Sequence, residues 1–409
     1  MKRQIYTHKS TERTLTYTAN KVASLKINDE KRTTVRVYDG GFIGVAGKSG
    51  SADIDQLEKK AVAMLDNKVP YPEPQDKAEK LSIDTGTENQ DKSDLLQEGE
   101  KLIKKISEEN PEFIFSGKTV FADTTDIFSS DGGTEYDCSQ SSQMTYFLMK
   151  HKDSASIFDD AYSAEGRNFE TDKIAADVNL LAKAYLKKLP AIEEDEIAVI
   201  ADISSVYYIM SSFNAQAYAT GSSLLNGKLG KKVFSDKFTL YCEQDPRKQA
   251  GAVFFDGEGI INDGYKAYLV RDGVMQNLLT TRQTAEKYGY KNIGTADAPF
   301  AAIPQEGTSG IDVAYTAEDL NELLRGEKAV LLSSVSGGDM TTAGDIALPV
   351  LNPYLYEDGE LKGRLPGFTV TANIFDVLGK DYIGACGKGI WAAGKNTYLV
   401  FRAKLVNKQ

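Results

Sequence analysis

The sequence predicts an α+β protein: an N-terminal α/β domain with antiparallel strands and helices over residues 1–190, and a larger β-rich C-terminal domain over residues 191–409. Three observations carry this. Alternating apolar and polar residues near the start and around residues 113–149 are interleaved with stretches of helical spacing. From residue 196 onward, short apolar runs between glycine turns dominate, with one important helix. The 409-residue length exceeds one ordinary domain, and Leu189-Pro190 followed by the acidic stretch Ile192–Asp195 offers a boundary.

The elements follow in order. Thr14–Thr18, Val22–Ile27, Thr33–Tyr38 and Phe42–Ala46 alternate and read as an antiparallel meander. Asp53–Asp66 has apolar residues at Ile54, Leu57, Ala61, Met64 and Leu65, which is helical spacing, with Ser51 or Asp53 as cap. Lys68–Gln90 is rich in proline and charge and reads as an extended linker or surface loop. Asp94–Glu108 is a second amphipathic helix with Leu95, Leu96, Leu102, Ile103 and Ile106 inward. Phe113–Phe115, Thr119–Ala122 and Met144–Met149 read as strands, with a turn at Asp131-Gly132-Gly133. Phe169–Lys188 is a third helix, Glu196–Asp202 a buried strand, and Val206–Leu225 a fourth helix.

The block Gly251–Tyr290 is the most distinctive. Phe254 and Phe255 read as the end of an apolar strand, and Asp256-Gly257-Glu258-Gly259 as a turn with at least one glycine at positive φ. Ala267–Val270, Arg271-Asp272-Gly273 and Val274–Leu279 read as a hairpin, since Asp-Gly is a strong hairpin signal. Thr281–Tyr288 is then a short helix closed by Gly289.

Composition excludes several classes. No run of 18 apolar residues exists, so no membrane-spanning helix is expected. The charged N-terminus has no apolar stretch after it, so a secretory signal is not expected and the cytoplasm is the default. Three widely spaced cysteines (Cys138, Cys242, Cys386) fit a reducing compartment without a disulfide framework. The formal charge of −11 opposes a nucleic-acid partner, and the basic clusters Lys228–Lys232 and Lys101–Lys105 read as solvated faces.

Three blocks in one order carry a resemblance. They are Val35–Gly44; the block Gly251–Tyr290; and a C-terminal set with Ser336–Asp339, Gly344-Asp345, Tyr354–Leu361 and Cys386-Gly387-Lys388. Together they resemble the TldD/PmbA family, also called modulator-of-DNA-gyrase proteins. The likeness is strong from about Ser212 onward and weak over 66–195. It implies an N-terminal α/β domain, a larger β-rich C-terminal domain and usually a dimer. The gyrase label carries no expectation of DNA contact here.

Active members of that family are similar to metallopeptidases with a helical His-Glu-x-x-x-His and a downstream cysteine. Two histidines one turn apart grip one metal ion, the glutamate acts as general base, and the thiolate completes the shell. This chain has two histidines, His8 and His151, and neither lies in the matching stretch Ser211–Gly221. Aligned on Ser222–Gly230, the resemblance puts Phe213 and Tyr218 at the histidine positions and Asn214 at the glutamate, with Cys386 retained. Asparagine is not a base and one cysteine is a poor zinc site. No metal, cofactor or catalytic residue is therefore expected, and the chain resembles the PmbA (TldE-like) branch, which pairs with a zinc-bearing TldD-like paralogue to act on unfolded peptides.

The expectation is thus a cytoplasmic, non-metal subunit, homo- or heterodimeric, that scaffolds the assembly and holds extended peptide by strand addition. Two alternatives stay open: an independent hydrolase using Cys386 or a carboxylate pair, and a peptide-binding protein without a peptidase partner. Asp339 and Asp345, in a glycine-rich stretch, read equally as a carboxylate or hard-metal site and as turn residues; Glu258, between two glycines, is a similar candidate. His8 and His151 read as surface residues. Gly337-Gly338 lacks the setting of a phosphate loop, and Trp391 reads as a core or interface anchor.

Overall fold

The computed structural model describes residues 1–75, 77–86, 92–308 and 310–406. The N-terminal meander forms with far longer strands than expected: β1 (Lys2–Thr18), β2 (Lys21–Asp39) and β3 (Phe42–Ser49). β1 and β2 pair antiparallel from Lys2↔Tyr38 to Thr18↔Lys21. Their turn is Ala19-Asn20, both residues at positive φ, 47° and 66°. Such a two-residue turn matches the twist of the flanking strands.

Helix α1 (Ile54–Met64) is capped by Asp53, whose side chain accepts from Gln56 N–H at 3.2 Å. It lays Leu57 and Ala61 on Val35 and Val37. A Cβ on Gly44 of β3 would sit 1.9 Å from the Ala61 carbonyl oxygen, so glycine lets the helix reach the sheet.

The stretch expected as linker, 68–90, is not all loop. It contains β4 (Val69–Pro70) and β5 (Glu79–Thr85), the latter parallel to a later strand; residues 76 and 87–90 lie outside the described residues. Only Leu81 and Ile83 alternate there, too short a signal against the flanking prolines and charges. Helix α2 (Lys92–Glu109) forms as the spacing predicts, and the strands expected at 113–115, 119–122 and 144–149 are parts of one longer hairpin, β6 (Phe113–Ser130) and β7 (Thr134–His151). β8 (Asp160–Gly166) and α3 (Thr171–Leu186) complete this part. The first sheet runs β4-β3-β2-β1-β6-β7-β5, with β8 also on β7.

The second part opens on β9 (Glu196–Asp202), buried on both faces. Ile197, Val199 and Ala201 face one hydrophobic cluster and Ala198 and Ile200 another, the period of two that a strand imposes. The fourth helix is corrected. Residues 203–213 form only short 3-10 and α turns, including α4 (Tyr207–Met210), and the chain turns extended at Asn214 (φ −62°, ψ 126°) before α5 (Ala215–Ala219).

Phe254 and Phe255 are also not in a strand; they are buried loop residues on Phe128, Tyr136 and Cys138. β10 (Leu240–Glu243), β11 (Lys266–Arg271) and β12 (Val274–Met275) precede α6 (Arg282–Tyr288). The return strand of this hairpin is two residues long, not the expected six, because β11 and β12 pair only at Val270↔Met275 and Arg271↔Val274. The small β13 (Ala296–Asp297) and β14 (Gln305–Glu306) pair with each other, and β15 (Ile311–Val313) joins the sheet β12-β11-β10-β15.

After α7 (Leu320–Leu324) come β16 (Ala329–Val335), β17 (Asp339–Met340), β18 (Asp345–Glu357), β19 (Glu360–Arg364), β20 (Phe368–Asn373), α8 (Ile374–Val377), β21 (Tyr382–Cys386) and β22 (Tyr398–Val406). Their order is β16-β9-β22-β20-β18-β17, and β16 also pairs β18, so the path closes on itself. The structure is α+β with a β-rich second half, as expected. α2 and α3 lie in one hydrophobic cluster that also holds Phe113 and Phe147 of the first sheet and Ile200, Leu331, Tyr354 and Val400 of the second. No helix among the described residues is long and apolar enough to cross a membrane.

Candidate functional site

A cleft of about 700 Å³ lies where β5 and the Pro72–Gln75 segment face the Glu258–Asp263 loop and α6. Each wall has a local cause. Thr281 and Thr284 close a reciprocal capping box, Thr281 Oγ1 accepting from Thr284 N–H at 3.2 Å, so Arg282 is fixed at the first helical position. Gly289 ends the helix at φ 72°, as the sequence predicts. In the turn before, Asp256 Oδ1 accepts from the N–H groups of Glu258 and Ile260, both at 2.9 Å, and Oδ2 from Ala296 N–H at 3.0 Å. Gly259 has φ +78°, and a Cβ there would strike the Phe128 ring at 2.4 Å.

Glu258 lies at the floor, its side chain wholly out of solvent. Oε1 accepts from the Tyr71 hydroxyl and from Arg282 Nε at 3.2 Å. Oε2 accepts from Arg282 backbone N–H at 2.9 Å and Asn292 Nδ2 at 3.3 Å. Arg282 Nη2 donates to Gln4 Oε1 at 3.1 Å and to the Tyr38 hydroxyl at 3.3 Å. Arg282 Nη1 is buried without a hydrogen-bond partner among the described residues. Burial, then the Glu258 charge, push the Tyr71 hydroxyl well above its ordinary pKa. Burial, then the same charge, raise the Asp256 carboxyl. The Glu258–Arg282 pair ties the N-terminal sheet, through Gln4, Tyr38 and Tyr71, to the second half.

Glu258 was legible as a candidate from its glycine flanks. Tyr71, Arg282 and Asn292 were not. Tyr71 opens a proline-rich stretch, and Arg282 reads from sequence only as the start of a helix.

The other candidates fall elsewhere. Phe213 is fully buried in the core of the second half. Asn214 Oδ1 accepts from Ala217 N–H at 2.8 Å, so its side chain caps α5. The Tyr218 hydroxyl accepts from Leu229 N–H at 3.1 Å, and its ring meets Tyr290, a cleft residue, edge-on at 5.9 Å. Beside α5, both carboxylate oxygens of Glu306 are buried. Thr284 and the N–H groups of Ala215 and Gln216 face them without closing a hydrogen bond of ordinary geometry, and burial raises this carboxyl.

Cys386 belongs to a different cluster, with Leu320 and Tyr398 around it. Its thiol donates to the Lys388 carbonyl at 3.3 Å, and burial pushes it up to about 11. Neither histidine is hydrogen-bonded to it: His8 Nδ1 bonds Asp126 Oδ1 at 2.8 Å and His151 Nδ1 accepts from Asp153 N–H at 3.2 Å. Asp339 and Asp345 are exposed at a separate cleft of about 690 Å³. Asp345 accepts from Asn373 Nδ2 at 2.9 Å and Thr341 Oγ1 at 3.3 Å, the bonding of a turn. No group of three His, Cys, Asp or Glu side chains able to hold a metal ion occurs among the described residues. Trp391 packs edge-on against Tyr162 at 5.9 Å.

Residues 199–391 match a sequence profile described as the PmbA/TldA metallopeptidase C-terminal domain. A protein named metalloprotease from Methanothermobacter thermautotrophicus is 29% identical over 184 residues, 41% of this chain and 39% of that protein. One named metalloprotease TldD homolog, from Buchnera aphidicola, is 21% identical over 41% of this chain and 37% of its own length. The aligned stretches span less than half the length of the relatives matched, 37% to 47%. The fold is shared with the crystal structure of TldE from Thermococcus kodakarensis (TM-score 0.78, 15% identity, 99% of this chain and 96% of that one). It is also shared with a structure from Thermotoga maritima described as a putative modulator of a DNA gyrase (TM-score 0.75, 16% identity, 99% and 96%). Residues 199–391 thus carry the C-terminal domain of the PmbA/TldD metallopeptidase family, and the chain as a whole shares the fold of these solved structures.

Proposed function

We propose that this chain is a cytoplasmic, non-metal subunit of a TldD/PmbA-type peptidase assembly. In this reading it pairs with a zinc-bearing TldD-like paralogue, helps enclose the reaction space and holds unfolded peptide in an extended form. The observation that carries it is the local structure at the stretch aligned with the family's metal helix. There α5 has five residues, Ala215–Ala219, and starts at Asn214.

A zinc ion needs several nitrogen, sulfur or carboxylate donors converging on one point. The side chains here do not fit one. Phe213 has no donor and points into the core, the Asn214 amide oxygen is used by Ala217 N–H, and the Tyr218 oxygen is used by Leu229 N–H. Cys386 sits in another cluster with its thiol protonated at neutral pH. That protonation, with neither histidine on the thiol, also weighs against an independent thiol hydrolase. The cleft above Glu258 is the feature that suits a holding role, because it is open, polar at its floor and wide enough for a chain segment.

The test is to purify the chain alone and together with a metal-bearing paralogue. Alone it should carry no stoichiometric zinc by mass spectrometry and cleave no unfolded peptide. Together the two should co-elute at 1:1 and show chelator-sensitive cleavage. Stoichiometric zinc with chelator-sensitive cleavage by the chain alone would reject the proposal, and a homodimer that refuses the paralogue would favour a binding protein with no peptidase partner.

A further inference from the structure

We infer that the free edge of β5 is the docking line for an extended peptide bearing lysine or arginine side chains, with the cleft above Glu258 receiving those side chains. The inference deepens the holding role proposed above and rests on it. Three independent observations carry it.

The first is backbone parity. Among the described residues β5 pairs only with β7, in parallel. Glu79 N–H donates to the Gly133 carbonyl at 3.3 Å on the β7 side. In a parallel ladder the N–H and C=O of one residue point the same way and alternate along the strand. Glu79, Leu81, Ile83 and Thr85 therefore face β7, and Lys80, Ser82 and Asp84 turn their N–H and C=O groups outward. Sheet edges are usually guarded by proline, a bulge or a projecting charge. Seven residues of β5 contain no proline, the register with β7 is unbroken, and Lys80 reaches back to Glu135 at 2.8 Å instead of guarding the edge.

The second is position. Glu79 and Leu81 line the cleft, on the sheet face shared with Tyr136 and Phe128. A strand added to the outer edge of β5 lays every second side chain over this same face.

The third is charge. The cleft is lined by five carboxylates and two cations, and Arg282 is committed to Glu258. Glu79, Asp263 and Glu286 have no ion-pair partner within 4.0 Å among the described residues, and Lys77 is the remaining cation. The half-buried ring of Tyr290 adds a face suited to a cation. The edge binds main chain without regard to sequence, and the carboxylates select what that main chain carries.

The test uses the chain alone and fluorescent peptides of about ten residues. They share one apolar framework and carry lysine, glutamine or glutamate at alternate positions, with affinity read by anisotropy. The lysine peptide should bind at least about tenfold tighter than the glutamine peptide at low salt, the advantage fading at about 300 mM. Asp263→Asn with Glu286→Gln should bring the lysine peptide down to the glutamine level and leave the latter unchanged. Ser82→Pro removes an outward N–H at an edge where proline is tolerated, and should weaken every peptide about tenfold with the thermal midpoint kept. Lys80→Pro serves as the second variant should Ser82→Pro misfold.

Equal affinity for all three peptides overturns the inference, as does unchanged binding in a folded proline variant. A proline variant that dissolves a self-association also overturns it, because a second copy then occupies the edge. Pairing with a paralogue is a separate readout. Loss of pairing with charge-selective binding intact removes the subunit role and leaves this inference standing.

Discussion

Glu258 and Arg282 show what a buried charge pair costs and gives. Each ion loses hydration on burial, and six hydrogen bonds, four accepted by Glu258 from Tyr71, Asn292 and Arg282 and two donated by Arg282 to Gln4 and Tyr38, offset that loss only while both partners remain. Glu258→Ala should lower unfolding free energy by about 3–5 kcal/mol, because it strands a guanidinium in the interior. Adding Arg282→Met should recover a large part, which urea titration of the single and double variants checks. A second prediction concerns pH. Asp256, Asp160, Asp177 and Glu306 are raised chiefly by burial, and His8 is raised chiefly by its hydrogen bond to Asp126. Each holds its proton more tightly folded than unfolded, so its contribution is full below its unfolded value and is lost as pH rises through the folded one. The depressed carboxyls Glu170 and Asp245 are already ionised in both states near neutrality and add no slope there. Urea midpoints should therefore fall from about pH 6 to about pH 8, with a shallower fall in Asp256→Asn. A flat or rising profile in the parent chain would contradict this.

At the scale of elements, α5 is where pattern and structure part. Val206, Ile209, Met210 and Phe213 are all buried at helical spacing, so the periodicity runs straight through the break. The break comes from Asn214, a residue type that prefers caps and whose side chain satisfies a helix-start N–H. That preference was legible in the sequence, but the same residue also stood at a family catalytic position. Asn214→Ala should cost about 1 kcal/mol by chemical denaturation. Writing the family motif back in, as Phe213→His with Asn214→Glu and Tyr218→His, should bring no stoichiometric zinc by metal analysis. It should also cost about 3 kcal/mol or more, because position 213 is core. By contrast α1, α2, α3 and β9 were readable along most of their length, and β6 and β7 over the shorter stretches 113–115, 119–122 and 144–149. Their apolar periodicity is long, Asp53 caps α1, and the Asp131-Gly132-Gly133 turn joins β6 to β7.

At the scale of the molecule, one hydrophobic cluster crosses from the first sheet through α2 and α3 to the closed second sheet. Asp160 of β8 reinforces the junction by accepting from Tyr354, Ser333 and Ser334 of the second half. A division at residue 190 remains a proposal about chain segments, and the shared cluster predicts that the two do not unfold separately. Fluorescence of the single Trp391 and far-ultraviolet circular dichroism should trace one coincident urea transition, and residues 1–190 alone should lack a cooperative one. What the sequence by itself determined is local: periodicity, caps, hairpin turns, and the lack of a histidine pair one helical turn apart, since these depend on residues a few positions distant. The cleft was decided by tertiary structure alone. Gln4, Tyr71, Glu258 and Arg282 meet across up to 278 positions of chain, and β5 keeps an open edge because, among the described residues, it pairs only with β7. Such contacts are fixed by how sheets and helices bury their apolar faces against one another, and no short window of sequence carries that information.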